Sequence, residues 1–256
     1  MTWFNFLSKD IVLDCYTAQP AVFNYAPIRK ATAFFPEWWK ALPPSYALEN
    51  GLGSAATMKL CVGFTDLFAK SFVLPLWSDV SIGIEKKIDP EVETFKYKFR
   101  YQFSDRVSSF AKHNPKQSGG VYPISEYQQL KFRSPWIFSC AEDISFLQIQ
   151  ATWNFKSPEK MFIPPGILNF KYQVGVEVNA FWPRGIEDNV HDLAFGQPMT
   201  HYIPLTERKV ELQLHLISHE EFSNRMNMNA STSFLNKYRN NKKILKERGC
   251  PFQFKV

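Results

Sequence analysis

Apolar and polar residues alternate with period two through much of the middle of the chain. Over residues 79–85, Val80, Ile82 and Ile84 share one face. Over 94–103, Phe95, Tyr97, Phe99, Tyr101 and Phe103 alternate with Lys96, Lys98, Arg100 and Gln102. Over 145–154, Leu147, Ile149, Ala151 and Trp153 oppose Gln148, Gln150, Thr152 and Asn154. Over 168–180, Leu168, Phe170, Tyr172, Val174, Val176 and Val178 oppose Asn169, Lys171, Gln173, Glu177 and Asn179. Over 209–217, Val210, Leu212, Leu214 and Leu216 oppose Glu211, Gln213 and His215. Successive side chains of a strand point to opposite faces, so each run predicts an antiparallel strand with one solvated face. No long helical period separates the runs, which argues against a βαβ architecture. The pattern predicts a mainly β protein, an antiparallel sandwich or partly closed barrel of β-clip or jelly-roll type.

The flanks read differently. Residues 11–16 predict a short buried strand. Between residues 26 and 44, Pro27 and Pro36 suit the ends of short helices, with Trp38, Trp39 and Leu42 plugging one side of a sheet. Residues 45–56 read as a loop around Gly51 and Gly53, 59–64 as a strand, and 66–70 as a short helix or turn. Residues 104–130 accumulate Ser, Lys, Gly and Pro and read as a long loop, mobile without a partner. Ser218 with Glu221 three residues later forms a capping box. It opens a helical segment over 219–247 that Gly249 and Pro251 stop. The chain thus divides into a Pro/Trp-rich segment wrapped on the core (1–57), a β core (58–217), and C-terminal helices with a tail (218–256).

Composition narrows the class. Of 256 residues 45% are hydrophobic and 16% aromatic, which excludes a disordered chain. The formal net charge of +6 sits in one place. Residues 224–256 hold eight basic side chains and one acid, leaving 22 basic and 23 acidic in residues 1–223, a net of −1. The positive charge is therefore a property of the C-terminal segment, where Lys237, Arg239, Lys242, Lys243, Lys246 and Arg248 are candidates to grip nucleic acid or an acidic protein. No run approaches the ~20 apolar residues of a membrane span, and the start has no basic region of a signal peptide. Cys15, Cys61, Cys140 and Cys250 are too far apart for a zinc ribbon or redox pair. They read as free thiols, with the first three buried, in a reducing compartment such as a host cytoplasm.

Several phrases span most of the chain. They are Pro27-Ile-Arg-Lys-Ala, Pro36-Glu-Trp-Trp-Lys-Ala-Leu-Pro, Leu74-Pro-Leu-Trp-Ser-Asp, His113-Asn-Pro-Lys-Gln, Lys131-Phe-Arg-Ser-Pro-Trp, Pro165-Gly-Ile, Gly196-Gln-Pro-Met-Thr-His-Tyr-Ile-Pro-Leu and Arg248-Gly-Cys-Pro-Phe. Together they resemble a protein family of tailed phages, marine cyanophages above all. The resemblance implies a phage-encoded protein, in the virion or in the host cytoplasm, and no particular activity. A second resemblance is local. Gly166-Ile-Leu-Asn-Phe-Lys-Tyr, Val176-Glu-Val-Asn and the strand entered at Gly196 are similar to dUTPase strand motifs, which implies a β-clip. That family's catalytic carboxylate falls on Asn169, its tyrosine on Tyr172, and Arg133-Ser134-Pro135 lacks the glycine of its phosphate segment. An amide has no proton affinity to act as a general base.

Other chemistry is sparse. His191-Asp192 is one residue short of the His-x-Asp spacing of iron oxygenases, with His201 or His215 as completing ligands. His215 and His219 are four apart but straddle a strand end and a helix start, so they do not share a helical face. No nucleophile elbow, Walker loop or dinucleotide fingerprint is present. Lys96, Lys98 and Arg100 oppose the aromatics of their strand, so bases could not stack beside phosphate contacts there. The polar strand faces carry Gln148, Gln150, Asn154, Asn169, Gln173 and Asn179. With His201 and His215 these would line a neutral hydrogen-bonding pocket if they converge. These readings point to a non-enzymatic binding or assembly protein that engages a protein partner or further copies of itself, with no cofactor or metal. An enzyme on a β scaffold, acting on nucleotides or through a metal, is the alternative.

Overall fold

The period-two stripes fold into two sheets packed face to face in a computed structural model. It describes residues 10–49, 51–86, 93–100, 109–112, 127–154, 161–173, 175–183, 190–227 and 242–243. The first sheet runs, in spatial order, β12 (Gly175–Pro183), β9 (Tyr127–Cys140), β1 (Ile11–Thr17) and β15 (Val210–Leu216), with β8 (Ser109–Lys112) also paired to β9. The second runs β11 (Gly166–Leu168), β10 (Phe146–Gln150), β14 (Pro198–Pro204), β5 (Phe72–Pro75) and β2 (Arg29–Lys30). A smaller sheet joins β13 (Val190–Leu193), β6 (Asp79–Lys86) and β7 (Glu93–Arg100), and β3 (Ser45–Ala47) pairs β4 (Ser54–Ala56) as a hairpin. The protein is mainly β, built from antiparallel sheets without a closed barrel, as the alternation predicts.

One pair departs from that rule. β1 lies parallel to β15, from Ile11 beside Val210 to Thr17 beside Leu216, and antiparallel to β9 on its other side. The first strand of the Pro/Trp-rich segment is thus built into the middle of the sheet. Its Ile11, Leu13 and Cys15 enter the shared core, where they join Phe132, Trp136 and Phe138 of β9 and Val178 and Trp182 of β12. Across the gap the second sheet contributes Phe146, Phe72, Leu74 and Tyr202. The Phe138 ring meets the Tyr202 ring edge-on at 5.2 Å and the Phe170 ring at 4.8 Å. Burial of this kind contributes about 1.5–3 kcal/mol per large side chain and holds the two sheets together.

Proline explains how β9 turns from one neighbour to the next. Residues 130–133 pair with β8 and 137–140 with β1, while β12 runs along the other side. Between them the register of β12 shifts from Glu177 opposite Arg133 to Gly175 opposite Ile137. Pro135 falls inside that irregularity, where a strand tolerates a residue without an N–H. The Ser134 hydroxyl accepts the Trp136 N–H at 3.1 Å, which satisfies a donor that the ladder leaves over.

Among the described residues, helices α1 to α4 attach to this frame. α1 (Pro20–Tyr25) sends Val22 into the core, α2 (Glu37–Ala41) and α3 (Val62–Lys70) cover the outer face of the second sheet, and α4 (His219–Asn227) lies on the outer face of the first. The capping box holds at α4, where the Glu221 N–H donates to Ser218 Oγ at 3.1 Å. A Cβ on Gly175 would meet Met226 Cε at 3.7 Å, so α4 reaches across to β12. Among the described residues no helix is long and apolar enough to cross a membrane.

Several local expectations are corrected. Residues 59–64 are not a strand but a short 3-10 turn followed by α3, whose Phe64 and Phe68 are four apart on one buried face. The run 168–180 is not one strand. Asn169 breaks it, since its Oδ1 accepts the Lys171 N–H at 3.1 Å and its carbonyl accepts the N–H groups of Tyr172 and Gln173. The faces of 145–154 are inverted: Phe146 and Gln148 point inward with Tyr202, and Leu147 and Ile149 point outward with His201. Residues 109–112 and 127–130, inside the expected loop, are strands, and Cys61 is exposed rather than buried. The rest of that loop, 104–108 and 113–126, lies outside the described residues.

Candidate interaction surface

The outer face of the second sheet carries an aromatic cluster. Pro36 opens α2 and sets two adjacent tryptophans about 100° apart around a helix, so both cannot face inward. Trp39 turns in and stacks on Phe35 at 4.1 Å and on Phe64 at 5.7 Å. Phe35 and Phe64 stack in turn on Phe68, at 4.7 and 4.8 Å. Phe68 stands edge-on to the buried His201 ring at 5.2 Å. Trp38 turns out, 42% exposed, beside an equally exposed Trp153. Their centroids are 5.8 Å apart, and both rings rest on Phe64. A continuous column of rings therefore runs from a buried histidine to two surface tryptophans.

Hydrogen bonds lock the outer end of this column. Trp38 Nε1 donates to the Trp153 carbonyl at 3.4 Å, and Asn154 Nδ2 donates to the Phe34 carbonyl at 2.9 Å. Lys59 Nζ donates to the Trp39 and Lys40 carbonyls at 3.0 Å each and lies 4.3 Å from the centre of the Trp39 ring. An ammonium is stabilised there twice, by the carbonyl end of α2 and by the ring quadrupole. Further large apolar side chains are exposed on the segments flanking α2 and opening α3: Tyr46, Leu52, Met58, Leu60 and Val62. Leu52 tips the β3–β4 hairpin, which turns through Gly51 and Gly53 at positive φ. Scattered exposed leucines are ordinary, but two adjoining exposed tryptophans on an ordered base form a candidate interaction surface.

His201 anchors the column at its base. Ser71 Oγ donates to the Leu67 carbonyl, the last turn of α3, and lies 2.9 Å from His201 Nδ1. With the serine proton so used, Nδ1 carries the hydrogen that Ser71 accepts, and Nε2 is left as a bare lone pair. Nε2 has no partner among the described residues. Burial pushes this imidazole down to about 4, so it is neutral at pH 7.

The residues expected to share a pocket do not meet. Gln148 faces the core, opposite Gly166 and Tyr202. Gln150 spans to another segment, accepting the Ile163 N–H at 2.9 Å and donating to the Met161 carbonyl at 3.3 Å. Asn179 pairs with Gln129 on the outer face of the first sheet. Gln173 donates to the Gly175 carbonyl within its own turn. His201 lies under α3. His215 is on the first sheet, with Nε2 2.7 Å from Asp14 Oδ1 and its ring stacked on Tyr16 at 4.6 Å. The Arg225 guanidinium of α4 lies 4.1 Å from the Tyr16 ring centre and pairs with Glu221.

Asn169 and Tyr172 do come together, but on a third residue. Asn169 Nδ2 donates to Asp143 Oδ1 and the Tyr172 hydroxyl to Oδ2, both at 2.8 Å. The tyrosine hydrogen bond and then the asparagine bond hold the Asp143 carboxyl below its usual range, so it is a poor proton acceptor. The arrangement ties the β9–β10 turn to the turn after β11. Sequence reasoning missed Asp143 because nothing in its spacing links it to residues 169–172.

Of the basic candidates, Lys242 and Lys243 are described. Lys242 Nζ lies 5.5 Å from the centre of the Tyr172 ring, so part of the basic segment sits by the Asp143 clamp. Lys237, Arg239, Lys246 and Arg248 lie outside the described residues. His191 is in β13 of the smaller sheet, where Asp192 Oδ1 accepts from Ser81, whereas His201 is in the second sheet and His215 in the first. Among the described residues no three His, Cys, Asp or Glu side chains gather where they could hold a metal. No family model matches the chain, and no curated protein matches it.

Proposed function

We propose that this chain is a non-enzymatic binding or assembly protein that engages a partner protein through the aromatic surface around Trp38 and Trp153. The observation that carries the reading is the pair of exposed tryptophans mounted on a stacked, hydrogen-bonded base. A surface already ordered before contact loses little side-chain freedom on binding, so more of its burial appears as affinity. The scatter of the polar and titratable candidates over separate faces agrees with recognition rather than catalysis. The phrases that resemble proteins of tailed phages support a phage origin, with a place in the particle, in its assembly, or among intracellular partners.

Mass spectrometry of purified particles of the encoding phage tests the virion version. The wild-type chain is expected at fixed copy number, and a folded Trp38→Ala/Trp153→Ala chain is expected to be depleted about tenfold or more. A wild-type chain absent from particles removes the virion role. Undiminished incorporation of the double variant removes the surface from that role.

A further inference from the structure

β15 is an outer strand of the sandwich, and its backbone polarity can be read from its one neighbour. The Ile11 N–H donates to the Lys209 carbonyl at 2.9 Å, and the Ile217 N–H donates to the Thr17 carbonyl at 3.0 Å. Odd-numbered residues thus turn their backbone groups toward β1, and Val210, Leu212, Leu214 and Leu216 turn theirs outward. The Val210 carbonyl accepts Lys30 Nζ at 3.5 Å. Leu212, Leu214 and Leu216 have no outward backbone partner among the described residues.

Exposed edges are normally guarded by short length, proline, a bulge, an inward charge or a covering segment. Three other sandwich edges are, among the described residues. β2 has two residues, both basic, and β11 has three and follows Pro164 and Pro165. The outer side of β12 is met by Phe162, which exchanges two backbone hydrogen bonds with Phe181. β15 has seven residues in unbroken register, no proline or glycine, and only apolar inward positions. Its last inward side chain, Leu216, is 48% exposed.

The edge is also complementary to itself. An antiparallel second copy must pair even residues with even residues to satisfy the outward groups. Centred on Gln213, that register sets Leu212 against Leu214 and Val210 against Leu216. On the solvent face it sets Glu211 against His215 and leaves two neutral Gln213 side chains at the two-fold axis. Gln213 is the midpoint of β15, so this register pairs all seven of its residues, whereas shifting the centre to Glu211 opposes two carboxylates. Like charges in cross-strand positions are unfavourable, and a shifted centre leaves residues of the strand unpaired, so the central register is favoured.

We infer that β15 pairs antiparallel with β15 of a second copy, forming a two-fold homodimer with one continuous sheet across the axis. This surface is separate from the tryptophan surface and stands whether or not that surface binds a partner. Sedimentation equilibrium of the full chain is expected to show a dimer. Gln213→Lys, at an exposed position, puts two ammonium groups on the axis and is expected to weaken the dimer by about tenfold or more, with an unchanged melting temperature at concentrations where both chains are monomeric. In a Cys61→Ser/Cys250→Ser background, Gln213→Cys is expected to form an intermolecular disulfide, and Glu211→Cys is not. A wild-type chain that stays monomeric at about 0.1 mM would overturn the inference. So would a dimer indifferent to Gln213→Lys, or equal cross-linking at positions 211 and 213.

Discussion

His201 makes the stability of this protein depend on pH in a direction fixed by its burial. The ring is fully buried beneath α3, Nδ1 is spent on Ser71, and Nε2 faces no acceptor among the described residues. Protonation places a charge and an unmatched N–H there. An unfolded chain binds that proton near pH 6.5, whereas the folded chain resists it until about 4. Between those values the unfolded state holds more protons, so stability rises with pH. The contribution is complete above about pH 6.5 and lost as the medium is acidified toward 4. At 1.36 kcal/mol per unit, the interval corresponds to about 3 kcal/mol, a large part of the 5–15 kcal/mol typical of a domain. Urea unfolding at pH 7.5, 5.5 and 4.5 measures it, with His201→Asn as comparison. Asparagine keeps a donor for Ser71 but does not titrate. The variant is expected to be less stable at pH 7.5 because it leaves a cavity. Its stability is expected to fall about 3 kcal/mol less than wild type on acidification. Parallel pH curves for the two proteins, or an NMR titration of His201 near 6.5, would refute the reasoning.

Three other outcomes follow from named contacts. Asp143→Asn turns one of the two acceptor oxygens that join Asn169 and Tyr172 into a donor and is expected to cost about 1–2 kcal/mol by urea unfolding, discounted because the carboxyl is exposed. Its depressed carboxyl stabilises the fold above the ordinary carboxylate range, and that share is lost only as pH falls through the folded value. Lys59→Met withdraws the ammonium from the Trp39 and Lys40 carbonyls; a loss of about 1 kcal/mol and a shift in tryptophan fluorescence are expected. Under native conditions a thiol reagent is expected to modify Cys61 quickly, while Cys15 and Cys140, buried and with thiols pushed up by desolvation, react only on unfolding. Rapid native labelling of either buried thiol would contradict the packing.

The parts of the fold legible in the sequence are those where one physical effect dominates. Residues 210–216 and 80–82 alternate cleanly because one face meets the core and the other meets water. At 146–150 the rule fails because Gln150 serves as a surrogate backbone, offering a donor to Met161 and an acceptor to Ile163. An amide used in that way looks like a surface residue in a hydropathy pattern. β9 was hidden by the irregularity at Pro135, which places the buried Trp136 and Ile137 side by side and breaks the period. α3 was obscured by Gly63 and by its short length, although Phe64 and Phe68 carry the helical spacing. The tryptophan surface left a usable signal: adjacent Trp38 and Trp39 on a helix must diverge, so one is committed to the outside. The Asp143 clamp left none, since it joins two turns that only the finished fold brings together.

The parallel pairing of β1 with β15 also sets the order in which the chain can fold. Asp14 and His215 touch across 201 positions of sequence, and β1 meets β9 only after about 120 residues have intervened. On the ribosome, at about 5–20 residues per second, β1 waits many seconds for β9 and longer still for β15. Through that interval Ile11, Leu13 and Cys15 have no completed sheet to enter. Closing so long a loop before its contacts can offset the entropy makes for slow assembly, governed by topology rather than by any single strand. A nascent chain stalled before residue 210 would therefore hold its second sheet with α2 and α3, while β1 stood at the edge of the first sheet where β15 belongs.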